Sequence, residues 1–148
     1  MEILPHFWIS DNVKNKNFIL KKKIKVIIIL SKNKNFIKNF NEEQIRIPLE
    51  KFCDKDTRNN IIYQHLFDVT SYINDKINNN NNKVLLVGNE FDSDIINFFI
   101  LAYISRYGKL RPNYSYLFLL SKKNNVNSDF KNYYHILNKF YNQLFNKS

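Results

Sequence analysis

Three carboxylates stand close together in one short segment of the chain, at Glu90, Asp92 and Asp94. They follow the apolar run 83–87, which is typical of a buried strand, and they precede the apolar stretch 95–104, which is typical of a buried helix. A strand, a short loop and a helix N-terminus normally present backbone N–H groups to an anion. A phosphate arriving here would meet carboxylates instead, so the loop is unsuited to the anion chemistry that its layout favours.

Closely spaced carboxylates can also bind a divalent cation. The spacing of a calcium-binding loop and its glycine are absent. Asp92 or Ser93 as a helix N-cap, with Asp94 favourably placed near the positive end of the helix, accounts for the same residues. The three histidines are isolated from other ligand types. We therefore expect neither a metal nor another cofactor.

The chain has one cysteine, Cys53. It is the candidate for a thiolate nucleophile, but the neighbouring Asp54 and Asp56 disfavour a thiolate, and no arginine follows at the spacing that would hold a phosphate. A single cysteine excludes an internal disulfide and agrees with a reducing compartment. No secretory signal is recognisable, so we expect an intracellular, cytoplasmic protein.

The net charge of +10 suggests a nucleic acid or another polyanion as partner. Many lysines are scattered among asparagines, as in the run 78–82, and this indicates a compositional bias more than a dedicated surface. The residues that would form a polyanion surface are Lys14, Lys16, Lys21, Lys22, Lys23, Lys25, Lys109, Arg111, Lys122 and Lys123.

The hydrophobic pattern predicts a single α/β domain over residues 1–148, with helices over a small sheet. No apolar run reaches the roughly 18 residues that a membrane span needs. The predicted elements are an edge strand at 3–10, a helix at 13–23, strands at 25–30 and 44–49, a helix at 60–77, a strand at 83–87 and helices at 93–107, 113–122 and 129–146.

Two of these helices carry more specific predictions. Gly108 is expected to end helix 93–107 in the left-handed conformation. Helix 113–122 is expected to pack through its large apolar residues, which are Tyr114, Leu117, Phe118 and Leu120.

With this order of elements, the chain resembles the dual-specificity branch of the protein tyrosine phosphatase family over nearly its whole length. The most specific matches are EILP near the start, the Ile47-Pro48 strand end and the Ala102-Tyr103 pair. The resemblance implies the family's fold, a small mixed sheet flanked by helices. The matching segments are EILPHFWIS, KVIIIL, IRIPLE, NIIYQHLFDVTSYIND, KVLLV and FFILAYI.

Active members of that family carry a histidine and a cysteine after this strand, then five residues and an arginine. A low-pKa thiolate attacks phosphorus while the guanidinium holds the phosphoryl oxygens. The resemblance places Val87 at the histidine, Gly88 or Asn89 at the cysteine, and Asp94 or Ile95 at the arginine.

Gly88-Asn89 is similar to the Gly-Asn of the STYX pseudophosphatases, in which glycine replaces the nucleophile but the arginine is kept. Here the arginine is also lost. The resemblance thus implies a degenerate catalytic loop, formed by Val87, Gly88, Asn89, Glu90, Phe91, Asp92, Ser93 and Asp94.

The family's general acid lies upstream, and the resemblance places Asp54 or Asp56 near that position as a vestigial general-acid loop. A general acid accelerates departure of a leaving group only when a nucleophile attacks, and none is found at the loop. A solvated loop that caps the following helix accounts for both aspartates.

Three functions remain open. The first is a catalytically inactive phosphatase fold that serves as a protein-binding or structural module for an unidentified protein partner. The alternative is a basic module that docks on RNA or another polyanion, alone or as a subunit of a larger assembly. The third is a phosphatase of altered chemistry that uses Cys53.

Overall fold

A five-stranded sheet lies at the centre of the structure, in the strand order β1-β2-β5-β3-β4. β1 pairs antiparallel with β2, and all other pairs are parallel. The predicted small mixed sheet flanked by helices is therefore confirmed. The strands are β1 (Glu2–Leu4), β2 (Phe7–Ser10), β3 (Ile24–Leu30), β4 (Glu43–Ile47) and β5 (Lys83–Gly88).

The computed structural model describes residues 1–10, 16–31, 40, 42–49, 55–88, 93–123 and 130–145. Within these ranges it describes the side chains of all residues except 16, 55, 58, 93, 94 and 130–133.

Helices cover both faces of the sheet. α2, α3, α4 and α5 enclose the larger core, whereas α1 covers a smaller cluster that includes Ile27, Leu85 and Val87. Among the described residues, no helix combines the length and the apolar character needed to cross a bilayer. The helices are α1 (Lys16–Lys22), α2 (Lys55–Asn74), α3 (Ser93–Tyr107), α4 (Pro112–Lys122) and α5 (Phe130–Phe145).

The predicted edge strand at 3–10 is wrong, because this segment is a hairpin of two strands. Pro5 and His6 form the turn, with His6 at a left-handed φ of 70°. The chain reverses there, so β1 becomes the edge strand and β2 lies inside, between β1 and β5. Proline lacks the N–H group that a strand ladder needs, which favours a turn at this point.

The asparagine run is only partly a loop. Asn78 and Asn79 belong to a π-helical turn, Asp75–Asn79, that extends α2. Their side-chain amides donate hydrogen bonds to the residues four positions earlier, and the Asn79–Asp75 bond measures 2.6 Å. Amide side chains at this spacing can support a helical turn, a signal that composition alone does not show.

The end of α3 differs from the prediction by one residue. Gly108 is not left-handed, and Lys109 takes that conformation instead, with φ 55°. The Gly108 N–H donates to the Ile104 carbonyl oxygen at 2.8 Å. A Cβ on Gly108 would lie 2.6 Å from that oxygen, so glycine is needed here for close approach.

α4 packs through a different face from the one predicted. Its buried residues are Pro112, Ser115 and Leu119, whereas Tyr114 and Leu117 are exposed. The Ser115 and Ser105 hydroxyls lie 2.7 Å apart in a buried hydrogen bond between α4 and α3. Small side chains at this crossing let the helices approach closely. Tyr114 and Leu117 therefore face outward, whereas Phe118, also predicted to pack, does lie against the larger core.

Exchanging Gly108 for alanine tests the close approach at the end of α3. We expect Gly108→Ala to lower the free energy of unfolding by about 1–3 kcal/mol, because the new methyl group overlaps the Ile104 carbonyl. Lys109→Gly should leave stability unchanged or raise it by about 1 kcal/mol, because it relieves a left-handed backbone. Urea denaturation of both variants measures the difference. Equal stability of Gly108→Ala and wild type would contradict this geometry.

Candidate functional site

The degenerate loop begins at the carboxyl edge of the parallel strands. Gly88, the last residue of β5, is buried and lies opposite Leu30 at the end of β3, while Val87 lies opposite Ser10 at the end of β2. β5 is therefore the central strand, and the chain leaves it between two parallel neighbours. Ligand sites of open α/β sheets form at this edge, where the strand order reverses.

The structure describes only the two ends of the predicted loop. The Val87 side chain is buried under α1 in the smaller cluster. Ser93 and Asp94 are the first two residues of α3, but their side chains lie outside the described set. The positions outside the described residues are Asn89, Glu90, Phe91 and Asp92.

The predicted general-acid segment is described at one residue. Asp56 is exposed in the first turn of α2, where a carboxylate is favoured by the positive end of the helix. It already takes part in an interaction within the protein. Cys53 and Asp54 lie outside the described residues.

A buried polar pair lies one helical turn behind the loop. Asn97 in α3 is only 3% exposed, and its side-chain oxygen accepts a hydrogen bond from Lys123 Nζ at 3.0 Å. The sequence interpretation treated this part of α3 as uniformly apolar and missed Asn97. The available signal was a single polar residue within an apolar run, since such a residue needs a buried partner.

The predicted basic residues fall on two opposite sides of the sheet. Lys22 lies over the Trp8 ring on the α1 side, with Nζ 5.4 Å from the ring centroid, and Lys25 forms an ion pair with Glu42 at 3.2 Å. The remaining predicted basic residues flank or end α4, which packs on the opposite face of the sheet. They are Lys109, Arg111, Lys122 and Lys123.

One member of the basic group, Lys123, is directed inward to Asn97. The basic side chains that the structure describes therefore form no single continuous track of the kind that a polyanion backbone follows. Lys14 lies outside the described residues, as does the side chain of Lys16.

Within the part of the chain that the structure describes, no group of three His, Cys, Asp or Glu residues could hold a metal ion. Glu90 and Asp92 fall outside that part. The absence of a metal at the loop therefore stays a prediction.

Lys123→Ala tests whether this lysine is structural. Removal of the ammonium leaves the buried Asn97 amide without this donor, so we expect the free energy of unfolding to fall by about 1–3 kcal/mol. The adjacent Lys122→Ala serves as control, because an exposed lysine should change stability by less than about 0.5 kcal/mol. Chemical denaturation measures both variants. Equal effects of the two substitutions would show that the Lys123–Asn97 hydrogen bond does not contribute to the free energy of unfolding.

No family model matches the chain, and no curated protein matches it. Solved structures do match. Human DUSP28 has a TM-score of 0.80 at 13% identity, with 99% of each chain covered. A mouse putative dual specificity phosphatase complexed with zinc tungstate has a TM-score of 0.76 at 13% identity, over 97% of this chain and 86% of the other.

A further similar structure is the human tyrosine phosphatase-like serine/threonine/tyrosine-interacting protein. Its TM-score is 0.71 at 18% identity, with 94% of this chain and 93% of that chain covered. Identities this low establish architecture and leave activity open. The chain therefore has the dual-specificity phosphatase fold.

Proposed function

We propose that this protein is a pseudophosphatase that serves as a non-catalytic protein-binding or structural module. One observation carries the proposal. In a dual-specificity phosphatase fold, the segment from Gly88 at the end of β5 to Asp94 in the first turn of α3 holds a glycine and three acids, where the active enzymes need a thiolate and a guanidinium. A phosphate group at this loop would meet like charge in place of a nucleophile.

The packing of α3 supports one alignment of the loop. Ile95 is buried in the larger core, so its position does not suit a guanidinium directed at a phosphoryl group. We therefore infer that Asp94 occupies the arginine position and Gly88, six residues earlier, the cysteine position. Val87 then takes the place of the histidine.

Of the described arginines, Arg106 and Arg111 lie far from the loop, and Arg46 lies on β4, two strands from β5. Arg106 lies near the far end of α3, about 20 Å from its first residue at 1.5 Å per residue. It donates hydrogen bonds to the Phe67 carbonyl at 2.8 Å and to the Thr70 hydroxyl at 3.1 Å, and so ties α3 to α2. Arg111 precedes α4, beyond the same end of α3. Arg46 is exposed on β4 and already takes part in an interaction.

Cys53 and Arg58 are the remaining pair for an enzymatic function. Four residues separate them instead of the five of the active family, and two of the four are aspartates. An acidic surrounding disfavours the thiolate that phosphoryl transfer requires. The described part of this segment begins at Lys55, the first residue of α2, and Asp56 is exposed in the first turn of that helix.

A binding role has a structural precedent in the fold. One of the similar solved structures is named a phosphatase-like interacting protein. The larger core of the present chain, in the residues that the structure describes, is packed without contributions from the degenerate loop. It would therefore hold a protein-binding surface rigid.

Hydrolysis of an aryl phosphate tests the proposal. We expect the wild-type protein to show no turnover above the blank, and Cys53→Ser to be indistinguishable from it. Gly88→Cys should also be inactive, because a restored thiol would still lack the arginine and would stand beside three carboxylates. An active dual-specificity phosphatase serves as the positive control.

Turnover by the wild-type protein that disappears in Cys53→Ser would establish an enzyme of altered chemistry. Turnover in Gly88→Cys would show that the loop still binds and orients phosphate. Either result would refute the proposed function.

A further inference from the structure

An open apolar cavity of about 370 Å³ lies at the end of the molecule opposite the degenerate loop. It is lined by the turn after β1, the π-helical turn, the C-terminal end of α3 and α4. α3 runs the length of the domain, so its 15 residues separate the cavity from the loop by about 22 Å. The large apolar side chains that line it include Leu4, Ile77, Tyr103, Tyr107, Leu110 and Phe118.

The outer face of α4 extends this apolar surface. Tyr114 is 56% exposed and Leu117 is 59% exposed. Leu117 and Phe118, which lines the cavity, lie three and four residues after Tyr114, so these side chains share one side of the helix. The cavity together with Tyr114 and Leu117 is called the α4 groove below.

Positive charge stands at both ends of α4. Lys109 and Arg111 are exposed just before its first residue. Lys122, its last residue, has Nζ 5.7 Å from the centroid of the Phe118 ring. The 11 residues of α4 place these charges about 16 Å apart. Residues 95–123 contain no aspartate or glutamate at all.

Carboxylates on the opposite side of the cavity have local partners. Glu2 accepts a hydrogen bond from the His6 N–H at 3.3 Å, and Asp75 accepts one from Asn79 at 2.6 Å. The rim along α4 is therefore the positively charged side of the groove.

We propose that the α4 groove binds an acidic segment of a partner protein, with apolar side chains in the cavity and carboxylates at the two ends of α4. The inference rests on the proposed binding function and specifies the chemistry of the partner. Apolar anchors at the centre supply the affinity of such interfaces, and charges at the rim set orientation and exclude wrong partners.

Two other occupants fit the groove less well. A second copy of this chain would carry the same basic rim and a net charge of +10, so like charges would meet across a symmetric contact. A nucleic acid would need basic residues along a continuous groove, whereas the centre of this one is apolar.

Selection from random linear peptides displayed on phage tests the proposal with the full chain as bait, at about 150 mM salt so that weak surface electrostatics are screened. We expect the enriched peptides to combine aromatic or aliphatic residues with flanking Asp or Glu. Synthetic versions should bind about tenfold more weakly to Leu117→Asn and to Arg111→Gln, as measured by fluorescence anisotropy.

Two matched controls lie on α1, which covers the other face of the sheet. Leu20 is 73% exposed and Lys21 is exposed, so Leu20→Asn and Lys21→Gln change the same kinds of side chain away from the groove. Both should bind the selected peptides as the wild type does. Unchanged thermal unfolding of all four variants confirms that the fold is retained.

The proposal is overturned if no peptide is enriched, if the enriched peptides are neutral or basic, or if Leu117→Asn binds them normally. A single-stranded oligonucleotide serves as the competing ligand. If it binds more tightly than any peptide, and if Arg111→Gln loses this binding while Leu117→Asn keeps it, the basic residues beside α4 bind a polyanion and the proposal is wrong. These results are independent of the aryl phosphate assay. An inactive chain that fails this selection disproves only the acidic-segment inference, whereas an active chain disproves the proposed function.

Discussion

The structure depends on burial of β5 and α3 on all sides. Val84 and Leu86 face the larger core, while Leu85 and Val87 face the smaller cluster under α1, so β5 joins the two cores. α3 follows it with a run of buried residues from Ile95 to Ser105. These contacts lie on either side of the degenerate loop. The cysteine and the arginine of an active site can therefore be lost without loss of the packing that defines the fold.

The two ends of α3 have acquired opposite characters. The N-terminal end follows a segment rich in carboxylates, and the C-terminal end adjoins an apolar cavity with lysine and arginine beside it. Under the proposed function, the fold binds no phosphate at the first end and presents a recognition surface at the second. Arg106 holds this second end in place, because it bonds to the Phe67 carbonyl and the Thr70 hydroxyl of α2.

Elements with unambiguous patterns were predictable from the sequence. α3 has the predicted bounds, and the β-branched run of β3 and the apolar run of β5 form buried strands as expected. A strand buried on both faces has a continuous apolar sequence, which leaves little choice of partner or orientation.

Features that depend on one tertiary contact were not predictable. The face through which α4 packs is decided by the Ser105–Ser115 hydrogen bond, and apolar periodicity alone favours Tyr114 and Leu117 for the core. Lys123 resembled a surface cation because its partner, Asn97, is 26 residues away in the sequence. At the candidate site, the residue types predicted the loss of catalytic groups, while the placement of residues 89–92 lies outside the described structure.

The central claim is that the loop after Gly88 does not bind an oxyanion. Tungstate tests it most directly, because this ion mimics phosphate and its binding requires no catalytic step. A bound ligand raises the melting temperature in proportion to its affinity for the folded state. The account predicts that tungstate leaves the melting temperature of this protein unchanged, while it stabilises an active dual-specificity phosphatase measured alongside. A rise in melting temperature that grows with tungstate concentration and saturates would show that the loop after Gly88 still holds an oxyanion, and would contradict the account.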